Sequence, residues 1–184
     1  VEQLLQKLPG IEIDRAGNIK AMGESVVKVL VDGKEFFGND LKIATKNLPA
    51  DAIEKVKIFD RRSDVSQFTG IDDGVRDRTI DLQLKEDKKK GIFGNIEAGY
   101  GTENHYLFSG RAFRFNKVSQ IAILGHQNNI NRFGLKGQEF GQSANGLNTN
   151  GSAGVNLSYN PSDFNRYYMS YTASGSRSIL DQKT

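Results

Sequence analysis

The hydrophobic positions of this chain follow two different rules along its length. In residues 1–90 the apolar residues fall on short helical and strand-like faces bounded by turn residues. Leu4, Leu5 and Leu8 share one face of a helix predicted over Val1 to Leu8, which Pro9-Gly10 ends. Ile11 and Ile13 alternate with charges, Ala16-Gly17-Asn18 turns, and Ile19 starts the return of a short hairpin. Val26 to Val31 is a β-branched run ending in Asp32-Gly33, a dipeptide suited to a type I′ turn, with Lys34 to Phe37 as the partner strand. Asn39 or Asp40 can cap a helix carrying Leu41, Ala44 and Leu48 and stopped by Pro49. Ala50 to Glu54 adds a further turn, then Val56 and Ile58 alternate with Lys55 and Lys57. Thr79 to Lys85 has period two, with Ile80, Leu82 and Leu84 opposite Asp81 and Gln83.

From residue 91 onward the segments lengthen to about ten residues, alternate, and are separated by turn residues, the pattern of outer-membrane strands. Ile92, Gly94, Ile96, Ala98 and Tyr100 oppose Asn95, Glu97 and Gly99. Tyr106, Phe108, Gly110 and Ala112 oppose Ser109 and Arg111. Ile121, Ile123 and Gly125 oppose Gln120 and His126, with Ala122 and Leu124 blurring the pattern. Val155, Leu157 and Tyr159 oppose Asn156 and Ser158, and Tyr167, Met169, Tyr171 and Ala173 oppose Tyr168, Ser170, Thr172 and Ser174. Asn116-Lys117 and Pro161-Ser162-Asp163 are expected as tight turns and Asn128 to Ser152 as one long Gly/Asn/Ser loop. From periodicity alone a membrane barrel and a soluble β-sandwich or adhesin stand level.

Composition sharpens the division. Residues 1–90 hold 17 Lys+Arg and 17 Asp+Glu, whereas residues 91–184 hold 8 and 5, so the charge density falls by more than half. All six Tyr lie in the second part, and Lys88-Lys89-Lys90-Gly91 marks the expected boundary. The net charge of +3 is too mild to indicate a nucleic-acid partner. The absence of Cys removes disulfides, thiolate zinc sites and Cys nucleophiles together. The longest apolar runs are far short of the ~20 residues of a spanning helix.

Candidate chemistry is sparse. Asp72, Asp73 and Asp77 cluster around Gly74 without the ligand spacing of a calcium loop, so a solvated acidic turn is the expected reading. Lys88-Lys89-Lys90 is expected to be a solvated linker, with anionic headgroups as the alternative partner. His105 and His126 are expected near external strand ends as surface residues, and Arg61-Arg62 as partners of acidic groups of a barrel wall. No nucleophile–base pair or phosphate-binding Gly loop is visible, so no catalytic, cofactor or metal site is assigned, the ligand-binding residues stay unassigned, and the chain is expected not to be an enzyme.

Several motifs in series carry a resemblance. Val1-Glu2-Gln3-Leu4-Leu5-Gln6-Lys7-Leu8-Pro9-Gly10-Ile11-Glu12-Ile13 resembles the start of the plug domain of TonB-dependent outer-membrane receptors. Val29-Leu30-Val31-Asp32-Gly33 and Leu48-Pro49-Ala50-Asp51-Ala52-Ile53-Glu54-Lys55-Val56-Lys57-Ile58 resemble later elements of that plug. Asp32 to Gly38 and Phe68-Thr69-Gly70-Ile71-Asp72-Asp73-Gly74 are similar to the branch of large outer-membrane β-barrel proteins with a receptor-like plug. Where the usual plug has an Arg-Gly-Pro loop, this chain reads Phe59-Asp60-Arg61-Arg62-Ser63-Asp64.

The resemblance implies an α+β plug domain over 1–90, followed over 91–184 by about five antiparallel transmembrane strands of an incomplete outer-membrane β-barrel. It implies energy-coupled uptake of a large solute, with outer-membrane lipid, a TonB-type energy-coupling protein and an unknown solute as partners. The plug would lie inside the barrel and the long loops outside the cell. The alternatives are a surface adhesin or scaffold with a plug-like domain, and a soluble carbohydrate-binding β module. On this reading the chain is an internal piece, with a signal peptide upstream and several hundred further residues of alternating strands beyond Thr184.

Overall fold

The computed structural model describes residues 1–14, 16–38, 40–130, 132, 134–135, 147–162 and 165–179. The chain divides into two compact units, Val1–Glu86 and Asp87–Thr184.

In the first unit the elements are α1 (Glu2–Leu5), β1 (Ile11–Ile13), β2 (Ile19–Ala21), β3 (Glu24–Ser25), β4 (Lys28–Val31), β5 (Lys34–Glu35), α2 (Leu41–Asn47), β6 (Ile53–Arg62), α3 (Asp64–Thr69) and β7 (Arg76–Leu84). Strands β1, β2 and β3 form a small antiparallel sheet. A second sheet has the order β5-β4-β7-β6, with β4 and β7 parallel. Ile80, Leu82 and Leu84 of β7 are fully buried, with Val29 and Val31 of β4 beside them. Each such side chain contributes roughly 1.5–3 kcal/mol by leaving water.

The Asp32-Gly33 turn forms as expected, with both residues at positive φ, joining β4 to β5 through Leu30↔Glu35 and Val31↔Lys34. The partner strand is shorter than expected. Phe36 and Phe37 leave the ladder and bury their rings edge to face, centroids 5.0 Å apart. Asp40 caps α2, its Oδ1 accepting the Ile43 amide at 3.3 Å. Asp81, expected on a polar face, is buried. Its Oδ1 accepts the Gly33 amide at 2.8 Å, and Asp32 Oδ1 reciprocates by accepting the Leu84 amide at 3.1 Å.

In the second unit β8 (Phe93–Tyr100), β9 (Tyr106–Phe115), β10 (Ser119–Asn128), β11 (Leu147–Tyr159) and β12 (Tyr167–Ile179) form one antiparallel meander, each strand paired with the next. Gly94 is required at its position: a Cβ there would lie 1.9 Å from the Arg111 carbonyl oxygen. β11 begins well inside the stretch expected as a loop, because Asn128↔Asn150 and its neighbours continue the ladder. Residues 136–146 of that expected loop, and Asp163 of the expected tight turn, lie outside the described residues.

The expected fold class, an α+β plug followed by transmembrane hairpins of an incomplete barrel, is corrected. Among the described residues the protein is mostly β, 53% strand, in three sheets of which none closes into a barrel. Helices are few and short. The helix expected over Val1–Leu8 ends at Leu5, and the turn expected over 50–54 is a 3-10 turn, Ala50–Ala52, that gives way to β6 at Ile53. The large sheet stays open because β8 and β12 are its two edges.

Candidate functional site

The large sheet has two unlike faces, fixed by its register. Ile96 pairs with Gly110, Gly110 with Gly125, Gly125 with Ala153 and Ala153 with Ala173, so these residues share one face. Alternation places Tyr100, Tyr106, Phe108, Ile121, Ile123, Val155, Leu157, Tyr159, Tyr167, Met169 and Tyr171 on that same face. This face is apolar and open: Ile96 is 78% exposed, Ile123 54% and Tyr171 66%. Its charges among the described residues are Arg114 near one end and Arg177 near the other, and the middle is uncharged. Tyr100 pairs with Tyr106 at one end. At the other, Tyr159 and Tyr167 pair and stack with centroids 6.2 Å apart.

The opposite face sets polar side chains beside buried apolar ones, Ala122 and Leu124 among them. Cross-strand rows there read Glu97, Ser109, His126, Ser152, Ser174 and, two residues further along, Leu107, Asn128, Asn150, Ser176. Asn128 and Asn156 are fully buried, and Ser109, Gln120, Asn150 and Ser158 nearly so. Phe93, Phe113 and Phe115 form an aromatic cluster at one end of this face, with centroids 5.4–5.8 Å apart. The sheet thus buries amides and hydroxyls together with Leu107, Phe113, Phe115, Ala122 and Leu124, while isoleucine, methionine and tyrosine side chains of the other face are exposed.

At the other end of the covered face a hydrogen-bonded network holds the chain that leaves β10. Asn128 Oδ1 accepts the amides of Ile130 at 3.1 Å and Arg132 at 2.9 Å. Asn128 Nδ2 donates to the Arg132 carbonyl at 3.0 Å and meets His126 Nε2 at 2.7 Å. Arg132 reaches back to Glu97 on β8, Nη1 to Oε1 2.5 Å. The Leu135 amide donates to Ser152 Oγ at 3.3 Å.

The residues singled out from the sequence take separate places. Asp72 is held by Arg76 in a bidentate pair at 2.8 and 2.9 Å and accepts the Gly74 amide, so its carboxyl is held well below the ordinary carboxylate range, by Arg76 first. Asp73 accepts from the Ser63 hydroxyl and the Val75 amide, which lower its pKa in that order. Asp77 instead lies on β7 opposite Arg61. No group of three metal-ligating side chains occurs among the described residues. Lys88 sits 5.5 Å over the Phe93 ring, with Asp87 at 3.8 Å. Arg61 donates to Gln67 at 2.9 Å and faces Glu35 at 3.7 Å, while the Arg62 carbonyl accepts from Gln67. His105 lies in the turn after β8, its Nδ1 2.8 Å from the Thr102 carbonyl, and His126 belongs to the covered face of β10.

The Glu97–Arg132 pair and the Asn128 anchor were not legible in advance. Thirty-five residues separate the ion pair. The only local signal for the anchor is an Asn at a strand end, a residue type that favours side-chain-to-backbone turns. Compared with known proteins, the chain matches no family model and no curated protein.

Proposed function

We propose that this chain is part of an outer-membrane TonB-dependent receptor that takes up a large solute by energy coupling. The observation that carries the membrane half of this reading is the open apolar face of the five-stranded sheet, uncharged at its middle. A sheet in water hides its apolar face, since exposed apolar patches of this extent are rare on soluble monomers. A sheet against lipid exposes it, and places aromatic residues at both interfaces.

The dimensions agree. Strand β10 has ten residues. At ~3.4 Å per residue and a tilt of ~45°, they rise roughly 25 Å, the height of the apolar band of such strands. The Tyr100–Tyr106 pair and the Tyr159–Tyr167 pair bracket that band, and Arg114 and Arg177 lie near its ends. Hydrocarbon does not tolerate an open sheet edge, so the reading requires β8 and β12 to find pairing partners in the membrane.

The coupling half is supported by the motif series Leu8-Pro9-Gly10-Ile11, Val29 to Gly33 and Leu48 to Ile58, which resembles receptor plugs. The test is cellular. Isolated outer membranes should retain the protein after an alkaline carbonate wash, and site-specific photo-crosslinking from residues 1–86 should capture the energy-coupling protein. Release by the wash contradicts the membrane reading. Retention without crosslinks and without energy-dependent uptake favours an adhesin or scaffold.

A further inference from the structure

The amide of Asn128 decides the state of His126. Its Oδ1 is committed to two backbone N–H donors, those of Ile130 and Arg132. The atom facing His126 Nε2 at 2.7 Å is therefore the amide nitrogen, which only donates. Nε2 must then be an acceptor with a free lone pair, and the imidazole is neutral with its proton on Nδ1. A proton on Nε2 would set N–H against N–H in a fully buried amide. The amide cannot turn over to relieve this, because its nitrogen would then confront two backbone donors.

We propose that His126 is a proton-operated latch: as the neutral imidazole it fixes Asn128, which fixes the backbone of Ile130 and Arg132, and as the imidazolium it releases both.

Other groups near the ring do not supply this switch. Its cross-strand neighbours on β9 and β11 are Ser109 and Ser152, which do not titrate. The charged groups facing it are Glu97 from β8, Arg111 from β9 and Arg132 from the chain it controls. The imidazole is the near-neutral titrating type among these groups. Burial first holds His126 below its ordinary value, the Arg132 carbonyl opposes this, and the Arg132 charge adds to it, so the latch opens on the acid side of the ordinary histidine range. Release of Asn128 also frees the Arg132 backbone, and so loosens the side chain that spans to Glu97. The latch joins β8, β10 and the start of the following connection through one proton, and it holds whether or not the opposite face of the sheet meets lipid.

The test is amide hydrogen exchange on the full chain in detergent micelles from pH 8 to 5, corrected for intrinsic rates. Protection at Ile130 and Arg132 should fall by about tenfold or more on the acid side of the histidine range, the loss of one or two net hydrogen bonds, while Leu82 in the other unit stays unchanged. His126→Gln, whose carbonyl accepts from Asn128 but does not titrate, should abolish the step and keep protection at the high-pH value. The nitrogen-15 spectrum of the wild-type imidazole should show the Nδ1–H tautomer at pH 8, a readout needing no variant. Wild-type protection independent of pH, a step that persists in His126→Gln, or an Nε2–H tautomer at pH 8 would each overturn the proposal.

Discussion

On β7 of the first unit Ile80, Leu82 and Leu84 are buried and no apolar row of that strand is left open, whereas β10 of the second buries Gln120, Ala122, Leu124 and Asn128 on one face and leaves Ile121 and Ile123 on the open one. Both strands alternate with period two, so pattern alone does not say which face turns inward. The difference lies in what surrounds each apolar row. In the first unit Lys55, Lys57 and other charges take the water-facing positions of β6 next to β7. In the second, the open face lacks any charge at its middle, while the covered one mixes amides and hydroxyls with Leu107, Phe113, Phe115, Ala122 and Leu124. Alternation reports amphipathicity, and the placement of charge reports the solvent.

The largest effect expected is at the conventional core. Leu82→Ala should cost about 2–5 kcal/mol, read as a lowered denaturant midpoint and faster exchange of β7 amides. Ile123→Ala on the open face should change stability in detergent by less than about 1 kcal/mol. Equal losses would place Ile123 in a core and break the contrast.

Next comes the pair Ile96 and Asn95, neighbours on β8 that face opposite ways. An arginine at the middle of a lipid-facing strand costs roughly 2–4 kcal/mol. Ile96→Arg should therefore reduce the fraction inserted into vesicles far more than Asn95→Arg. Similar insertion of the two variants would remove the distinction between the faces.

Asp81→Ala sharpens the comparison from the other side, because a buried polar group in the first unit is tied to a single turn. Leaving the Gly33 amide without its acceptor should cost about 1–3 kcal/mol, visible as faster exchange at Gly33.

The smallest effect concerns pH. Asp14, held down chiefly by the Asn18 amide, and Asp72 and Asp73 all have folded-state pKa values below their ordinary ones. Their stabilisation is present above the unfolded value near ~3.9 and fades as pH falls through the lower folded values. Carbon-13 titration should place the Asp72 carboxyl below its usual range, and Arg76→Gln should return it upward. An unshifted Asp72 in the wild type contradicts the pairing.

The alternating faces of β8, β9, β11 and β12 were legible in the sequence, because long strands with one apolar side leave no other register, whereas Ala122 and Leu124 blurred β10, apolar on both its faces. The Asp32-Gly33 turn and the Asp40 cap were legible for the same local reason: each depends on neighbours in sequence. What was not legible depends on distant partners. Nothing near Asp81 announces Gly33, and nothing near Glu97 announces Arg132. Phe36 and Phe37 look like strand residues until their rings find each other. Helix α3 had local signals, a Ser63 cap accepting the Ser66 amide and Gly70 in the left-handed conformation, but its short length hid it among polar residues. The candidate latch was visible only as a lone histidine in an alternating strand.

The central claim is that the apolar face of the sheet meets lipid. The chain has no Trp, so an introduced one reports without background. Tyr171 and Ser170 are adjacent, exposed and on opposite faces of β12. Each in turn is replaced by Trp, in this chain reconstituted into vesicles with brominated acyl chains. Strong quenching of the Tyr171→Trp fluorescence with little quenching for Ser170→Trp is the predicted result. Equal quenching at both positions, or none at either, would contradict it.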